Sequence, residues 1–270
     1  MSTRRFSLYR GTAPFALAGD RQRDVTVDVW FPAPARNNGY ALIALAGRAY
    51  TFLSQKSGRD YGEWFSGLGF TVFVPTFRLG SEGYDLRAMC TDVLSTMRLA
   101  RGVAGESGFR SDRIGFIGTS AGAHMAAALA TGAGREMLVA HGVDQHVDLD
   151  AAPDFCVLCY GVLTLMDPLG HDETRRNFLG WHHQDTDWRR AFSPVEAIGA
   201  TTPRTFVWHT SEDVEVASEH SIRYAERLAV HGRPYEFHLY QKGTHALGLA
   251  RAQGLHWADD CVRWILDRQS

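Results

Sequence analysis

Gly118-Thr119-Ser120-Ala121-Gly122 stands between an apolar run, Ile114-Gly115-Phe116-Ile117, and a helical-looking run that begins at Ala123. The order is strand, sharp turn, helix. In a G-x-S-x-G turn the serine sits in strained backbone, and the residues two before and two after it must be small for strand and helix to come so close. Such a turn presents a serine hydroxyl at a helix N-terminus. A Gly/Ser-rich connection without chemistry has the same composition, so the neighbouring elements and the downstream residues decide between the two.

Working outward, short β-rich runs alternate with helical ones, the pattern of a largely parallel sheet covered on both faces. Strands are expected over 25–31, 41–46, 70–75, 113–118, 155–160, 205–209 and 235–240. The clearest helix runs over 85–103, where Leu86, Met89, Cys90, Val93, Leu94, Met97 and Ala100 form one apolar stripe at three- and four-residue steps. Further helices are expected over 60–67, 121–130, 219–230 and 252–267. In the last of these, Trp257, Cys261, Trp264 and Ile265 share a face. The stretch from about 161 to 200, with Trp181, His182, His183, Trp188 and Phe192 among charged residues, is longer than a plain crossover needs. It reads as a small cap insertion over the C-terminal edge of the sheet, where parallel α/β folds bind ligands. The alternative is a surface insertion whose aromatics pack on the body.

Length and composition set bounds. A chain of 270 residues that is 45% hydrophobic can bury one substantial core, and an α/β fold of this size is expected to form a single domain over 1–270. A net charge of -2 with scattered basic residues gives no footprint for nucleic acid or an anionic membrane. The expected partner is a small-molecule ester; a homodimer is compatible with the sequence. The short apolar stretch over 13–18 contains Pro14 and is too short for a signal-peptide core, and no run reaches membrane-spanning length. A cytoplasmic protein is therefore expected. Cys156 and Cys159 form a C-x-x-C, but on a strand a spacing of three puts the two sulfurs on opposite faces, which favours buried thiols over a zinc or redox site.

A serine nucleophile needs a base, because its hydroxyl is almost never ionised near neutral pH. The chain has 12 histidines, so position in the fold must select among them. His245, in Gly243-Thr244-His245 after the last expected strand, falls on a loop at the same sheet edge as Ser120. The third member should be a carboxylate after the preceding strand, where Thr210-Ser211-Glu212-Asp213 follows 205–209. Asp213 is preferred, though spacing alone does not exclude Glu212. The order Ser, Asp, His is the one α/β-hydrolases use. In that arrangement the histidine takes and returns the proton and the carboxylate holds its tautomer. The oxyanion donors should be the backbone N–H of Ala121 and N–H groups in Gly47-Arg48-Ala49 after strand 41–46.

These motifs resemble the α/β-hydrolases of the acetyl esterase and acetylxylan-esterase-like group, more distantly the hormone-sensitive-lipase type. The resemblance runs through the elbow with His124, Phe77-Arg78-Leu79-Gly80, the 153–160 strand, His209-Thr210-Ser211-Glu212-Asp213 and Lys242-Gly243-Thr244-His245. It implies an α/β-hydrolase fold and a serine carboxylesterase hydrolysing short acyl esters, sugars among them, with catalytic residues Ser120, Asp213 and His245 and no cofactor. Where that group carries a glycine-rich oxyanion loop, this chain has Ala46-Gly47-Arg48-Ala49-Tyr50, with one glycine. Arg48 is either a contact for an acidic substrate, a plug in the pocket, or a solvated surface charge. Gly47, Tyr50, Trp181 and His182 are the expected substrate-binding residues. His171, His182 and His183 with Asp172 and Asp185 match no metal-ligand spacing, and His124 reads as a packed structural histidine. Two rival functions share the scaffold: a formamidase, cyclase or acyl-transfer enzyme, and a non-catalytic binding homologue.

Overall fold

The computed structural model describes residues 1–19 and 24–267. Eight strands form one sheet: β1 (Ser2–Ser7), β2 (Thr26–Phe31), β3 (Ala41–Leu45), β4 (Thr71–Pro75), β5 (Ile114–Thr119), β6 (Phe155–Cys159), β7 (Arg204–Thr210) and β8 (Tyr235–Tyr240). Their spatial order is β1-β2-β4-β3-β5-β6-β7-β8. β2 pairs antiparallel with β1 and β4; every other pairing is parallel. The helices are α1 (Arg59–Gly67), α2 (Leu86–Val103), α3 (Ala121–Thr131), α4 (Arg135–Ala140), α5 (Asp172–Leu179), α6 (Thr186–Ala191), α7 (Glu219–Val230) and α8 (Trp257–Leu266).

Strand alternation divides the core into two layers. Ala41, Ile43 and Leu45 of β3 pack with α2, α3 and α7 on one face; Leu42 and Ala44 pack with Tyr61 and Phe65 of α1 and with α8 on the other. Cys156 and Cys159 fall one in each layer, both buried and free, so they cannot share a ligand. All four cysteines carry thiols whose pKa is pushed up, first of all by burial.

Strand β1 and the start of the last helix depart from the sequence reading, as do the unexpected short helices α4, α5 and α6. β1 was not expected, because Ser2–Ser7 is polar and exposed along nearly its whole length. It is held by backbone pairing to β2 and by the ion pair of Arg5 with Asp28 at 2.6 Å. The last helix begins at Trp257, not at 252, since Ala250 and Gly254 both take positive φ around a single 3₁₀ turn at Arg251–Gln253. Among the described residues no helix is long and apolar enough to cross a membrane.

The segment after β4 is anchored by a buried ion pair. Arg78 and Asp92 are 1% and 0% exposed. Arg78 donates from Nε and Nη2 to the two carboxylate oxygens, at 2.9 and 2.7 Å. Asp92 also accepts from the Arg78 N–H and the Tyr9 hydroxyl, and Arg78 Nη1 donates to the Pro14 carbonyl. The pair thus ties the N-terminal segment and the β4–α2 connection to α2. Removing one member of such a pair strands a charge in the core, at a cost of about 3–5 kcal/mol. Asp92→Ala should therefore lower stability by about that amount in urea denaturation; a loss below about 1 kcal/mol would contradict this role.

Candidate active site

Ser120 sits where β5 meets α3, at φ +52° and ψ -119°. A side chain in that region costs about 1–3 kcal/mol and persists only when its surroundings hold it. Here the Ser120 N–H donates to the Cys159 carbonyl on β6 at 3.0 Å, and its own carbonyl accepts from the N–H groups of Ala123 and His124. The flanking glycines are demanded by space. A Cβ on Gly118 would lie 2.3 Å from the Gly122 oxygen, and one on Gly122 would lie 2.0 Å from the Leu45 oxygen. The Ser120 hydroxyl makes no capping bond to its own helix and is available elsewhere.

It meets His245. Ser120 Oγ is 2.9 Å from His245 Nε2, and His245 Nδ1 is 2.6 Å from Asp213 Oδ2. A carboxylate only accepts, so Nδ1 carries the proton and Nε2 presents its lone pair to the serine. The His245 ring also packs against Tyr160, centroids 5.1 Å apart. Asp213 is buried, and its Oδ1 accepts from the N–H groups of Glu215 and Val216. Burial alone would raise its pKa; hydrogen bonds from His209, His245 and Val216 outweigh that and hold the carboxyl well below the usual range. Glu212 lies on the outer side of this turn, accepting from the Gly243 N–H at 3.3 Å.

His209, absent from the expected site, is a second histidine on the same carboxylate. Its Nε2 lies 2.9 Å from the Val216 carbonyl and 3.2 Å from Asp213 Oδ2, both acceptors, so Nε2 is the protonated nitrogen. Nδ1 then accepts from the Ser221 hydroxyl. The signal was present in the sequence as a histidine at the end of a strand four residues before the aspartate, but twelve histidines gave it no distinction.

The loop after β3 adopts a glycine-like backbone with few glycines. Arg48, Ala49 and Tyr50 have φ of +154°, +50° and +58°. Gly47 is required, since a Cβ there would lie 1.9 Å from the Thr119 oxygen, and its N–H is already donated to Thr119 Oγ1 at 3.0 Å. Among the described residues, the N–H groups of Arg48, Ala49 and Ala121 have no acceptor. The Arg48 guanidinium turns outward over Phe52 and lies 3.8 Å from Glu215, half exposed. It is a rim charge and does not plug the pocket.

Three expected substrate-binding residues lie elsewhere. Tyr50 is buried beneath the loop, where its hydroxyl donates to His124 Nδ1 at 2.7 Å and its ring stacks on Phe178. His124 Nε2 in turn donates to the Phe192 carbonyl at 2.9 Å. Trp181 is fully exposed in a 3₁₀ turn that starts at Gly180, φ +54°, and His182 stacks on Trp188 at 3.8 Å. Both line a different surface cleft with Asp85, Arg87 and His141. Only Gly47 of the four lines the cavity at Ser120.

That cavity has a volume of about 60 Å³ and is walled by Thr119, Ser120, Tyr160, His245 and the 47–49 loop. Ser54, Lys56, Ser57, His171, Glu173 and Glu215 line it as well. The 161–200 segment, built from α5, α6 and two 3₁₀ turns, supplies His171 and Glu173. It also braces the 47–50 loop, since Asn177 Nδ2 donates to the Ala49 carbonyl at 2.7 Å. His171, which the sequence did not mark as a substrate-binding residue, lines this cavity; among the described residues no group of three or more His, Cys, Asp or Glu could hold a metal ion.

Residues 27–228 match the family model BD-FAE, three quarters of the chain. The chain belongs to the BD-FAE family. An acetylxylan esterase of Xylanibacter ruminicola is 23% identical to this BD-FAE protein over 219 residues, which cover 80% of the chain and 42% of that relative. The chain thus spans less than half of that protein's length. An acetyl ester-xyloside bifunctional hydrolase from Caldicellulosiruptor lactoaceticus superposes with a TM-score of 0.83 at 26% identity, covering 97% of this chain and 94% of that one. A carboxylesterase of Lactobacillus plantarum, Cest-2923, superposes with a TM-score of 0.78 at 18% identity, covering 98% and 97%. The fold of the BD-FAE protein is that of an α/β-hydrolase.

His124 carries a consequence for stability. Burial pushes its pKa from 6.5 to about 4, against the pull of the Phe192 carbonyl. The unfolded chain therefore takes up this proton first as pH falls, so stability is full above about 6.5 and drains as pH approaches 4. By pH 5 the loss from this one group is about 2 kcal/mol. Urea midpoints measured from pH 7 to 5 should fall accordingly, and His124→Asn should flatten that slope; an unchanged slope would contradict a neutral buried His124.

Proposed function

We propose that this protein is a serine carboxylesterase that removes short acyl groups, acetyl above all, from sugar hydroxyls. The observation that carries the reading is the unbroken hydrogen-bonded line Ser120 Oγ, His245 Nε2, His245 Nδ1, Asp213 Oδ2. As Ser120 Oγ attacks the acyl carbon, His245 Nε2 takes its proton. The imidazolium that forms is stabilised by Asp213, whose depressed pKa keeps it ionised. The tetrahedral oxyanion is met by the N–H of Ala121 and by those of Arg48 and Ala49, each such donor being worth about 3 kcal/mol of barrier. When the ester C–O bond breaks, His245 returns the proton to the departing alcohol oxygen. Water, deprotonated by the same imidazole, then attacks the acyl-Ser120 and releases the acid.

The size of the cavity supports a small acyl group. About 60 Å³ has room for roughly four water molecules, which suits a group as small as acetyl. The sugar half of the reading is supported by the relatives, an acetylxylan esterase and an acetyl ester-xyloside hydrolase. In this reading the 161–200 segment is the cap that completes the pocket, and Gly47 serves the loop through Thr119 rather than the substrate. A cytoplasmic, reducing location belongs to the same proposal, supported by four free, buried cysteines.

Ser120→Ala should reduce kcat for p-nitrophenyl acetate by at least a thousandfold with the fold intact by circular dichroism, since it removes the attacking atom itself. A variant that hydrolysed the ester at the parental rate would refute the proposal.

A further inference from the structure

The start of α5 brings two unspent polar groups to the lining of the Ser120 cavity. His171 caps this helix: its Nδ1 accepts from the Thr174 N–H and lies 2.9 Å from the Thr174 hydroxyl. An N–H can only donate, so the ring proton of neutral His171 is on Nε2, the end away from the helix. Among the described residues that Nε2 has no partner, and neither does the exposed carboxylate of Glu173. Half-burial lowers the His171 pKa, and nearby His245 adds to this, against Glu173 and Glu215. The ring is thus a neutral donor that does not compete with His245 as a base. The helix is fixed in place by contacts on its other turns: Asn177 to the Ala49 carbonyl, and Phe178 stacked on Tyr50. Backbone at Gly80 touches it as well, for a Cβ there would stand 1.8 Å from the Asn177 oxygen. One rigid element therefore both braces the 47–50 loop and holds a donor and an acceptor at the cavity that Ser120 lines.

We propose that His171 and Glu173 form the binding site for the alcohol half of the substrate, reading hydroxyls that flank the acetylated one. His171 Nε2–H donates to a neighbouring sugar oxygen, and Glu173 accepts from a sugar hydroxyl. This rests on the esterase reading above and adds to it the residues that select a polyhydroxylated alcohol. An acetylated ring without hydroxyls offers neither group a partner and forgoes both hydrogen bonds, which is where discrimination arises.

The test compares two esters of similar shape, the monoacetate of methyl β-xyloside and cyclohexyl acetate. The wild-type protein should favour the xyloside in kcat/KM by roughly tenfold to a hundredfold, chiefly through KM. His171→Asn keeps a helix-capping acceptor and loses the ring donor, and Glu173→Met keeps the length of the side chain and loses its acceptor oxygens. In each variant the ratio of the two kcat/KM values should collapse toward one. A wild-type ratio near one, or a ratio unchanged in both variants, overturns the assignment while leaving the esterase reading intact. Hydrolysis of neither ester by the wild-type protein overturns both.

Discussion

A Cβ on Gly122 would stand 2.0 Å from the Leu45 carbonyl oxygen, and the seating of α3 against β3 depends on there being none. That contact brings the N-terminus of α3 onto the sheet. It forces Ser120 into positive φ and leaves the Ala121 N–H beside the loop that follows Leu45. Gly118 repeats the constraint from the strand side, and Gly47 from the loop side, where Thr119 leaves no room for a side chain. Three glycines therefore set the distance between Ser120, helix and loop. The strain at Ser120 is offset by the backbone bonds to Cys159, Ala123 and His124.

Electrostatics follows from that packing. Asp213 is buried but surrounded by donors: two imidazoles and two backbone N–H groups. A carboxylate so satisfied stays ionised where burial alone would neutralise it. His124 is the opposite case, a ring with one donor and one acceptor partner and no charged neighbour in contact, so it stays neutral. It links Tyr50 under the loop to Phe192 in the 161–200 segment. The loop, the elbow helix and that segment thus meet on one buried imidazole.

Much of this was legible in the sequence because it obeys short-range rules. Strand spans came out within a residue or two, since fully buried parallel strands such as Phe155–Cys159 are continuous apolar runs bounded by turn residues. Ser120, Asp213 and His245 were placed at one sheet edge because parallel topology puts the ends of β5, β7 and β8 there. What the sequence hid depends on orientation. Tyr50, Trp181 and His182 have pocket-lining chemistry, yet Tyr50 points under its loop and the other two are carried outward by the turn at Gly180. His171 and Glu173 reach the cavity from the start of α5, and Asn177 braces its loop, but the helix is too short and polar for periodicity to reveal. β1 escaped for the same reason: its stability lies in backbone pairing to β2, not in apolar alternation.

The most direct test of the central claim is stoichiometric labelling with an aryl fluorophosphonate, followed by intact mass, peptide mapping and residual ester hydrolysis. The account predicts one phosphonyl group per chain, on Ser120, with activity lost in proportion to label. A label carried by another residue, or hydrolysis that persists in fully labelled protein, would contradict it.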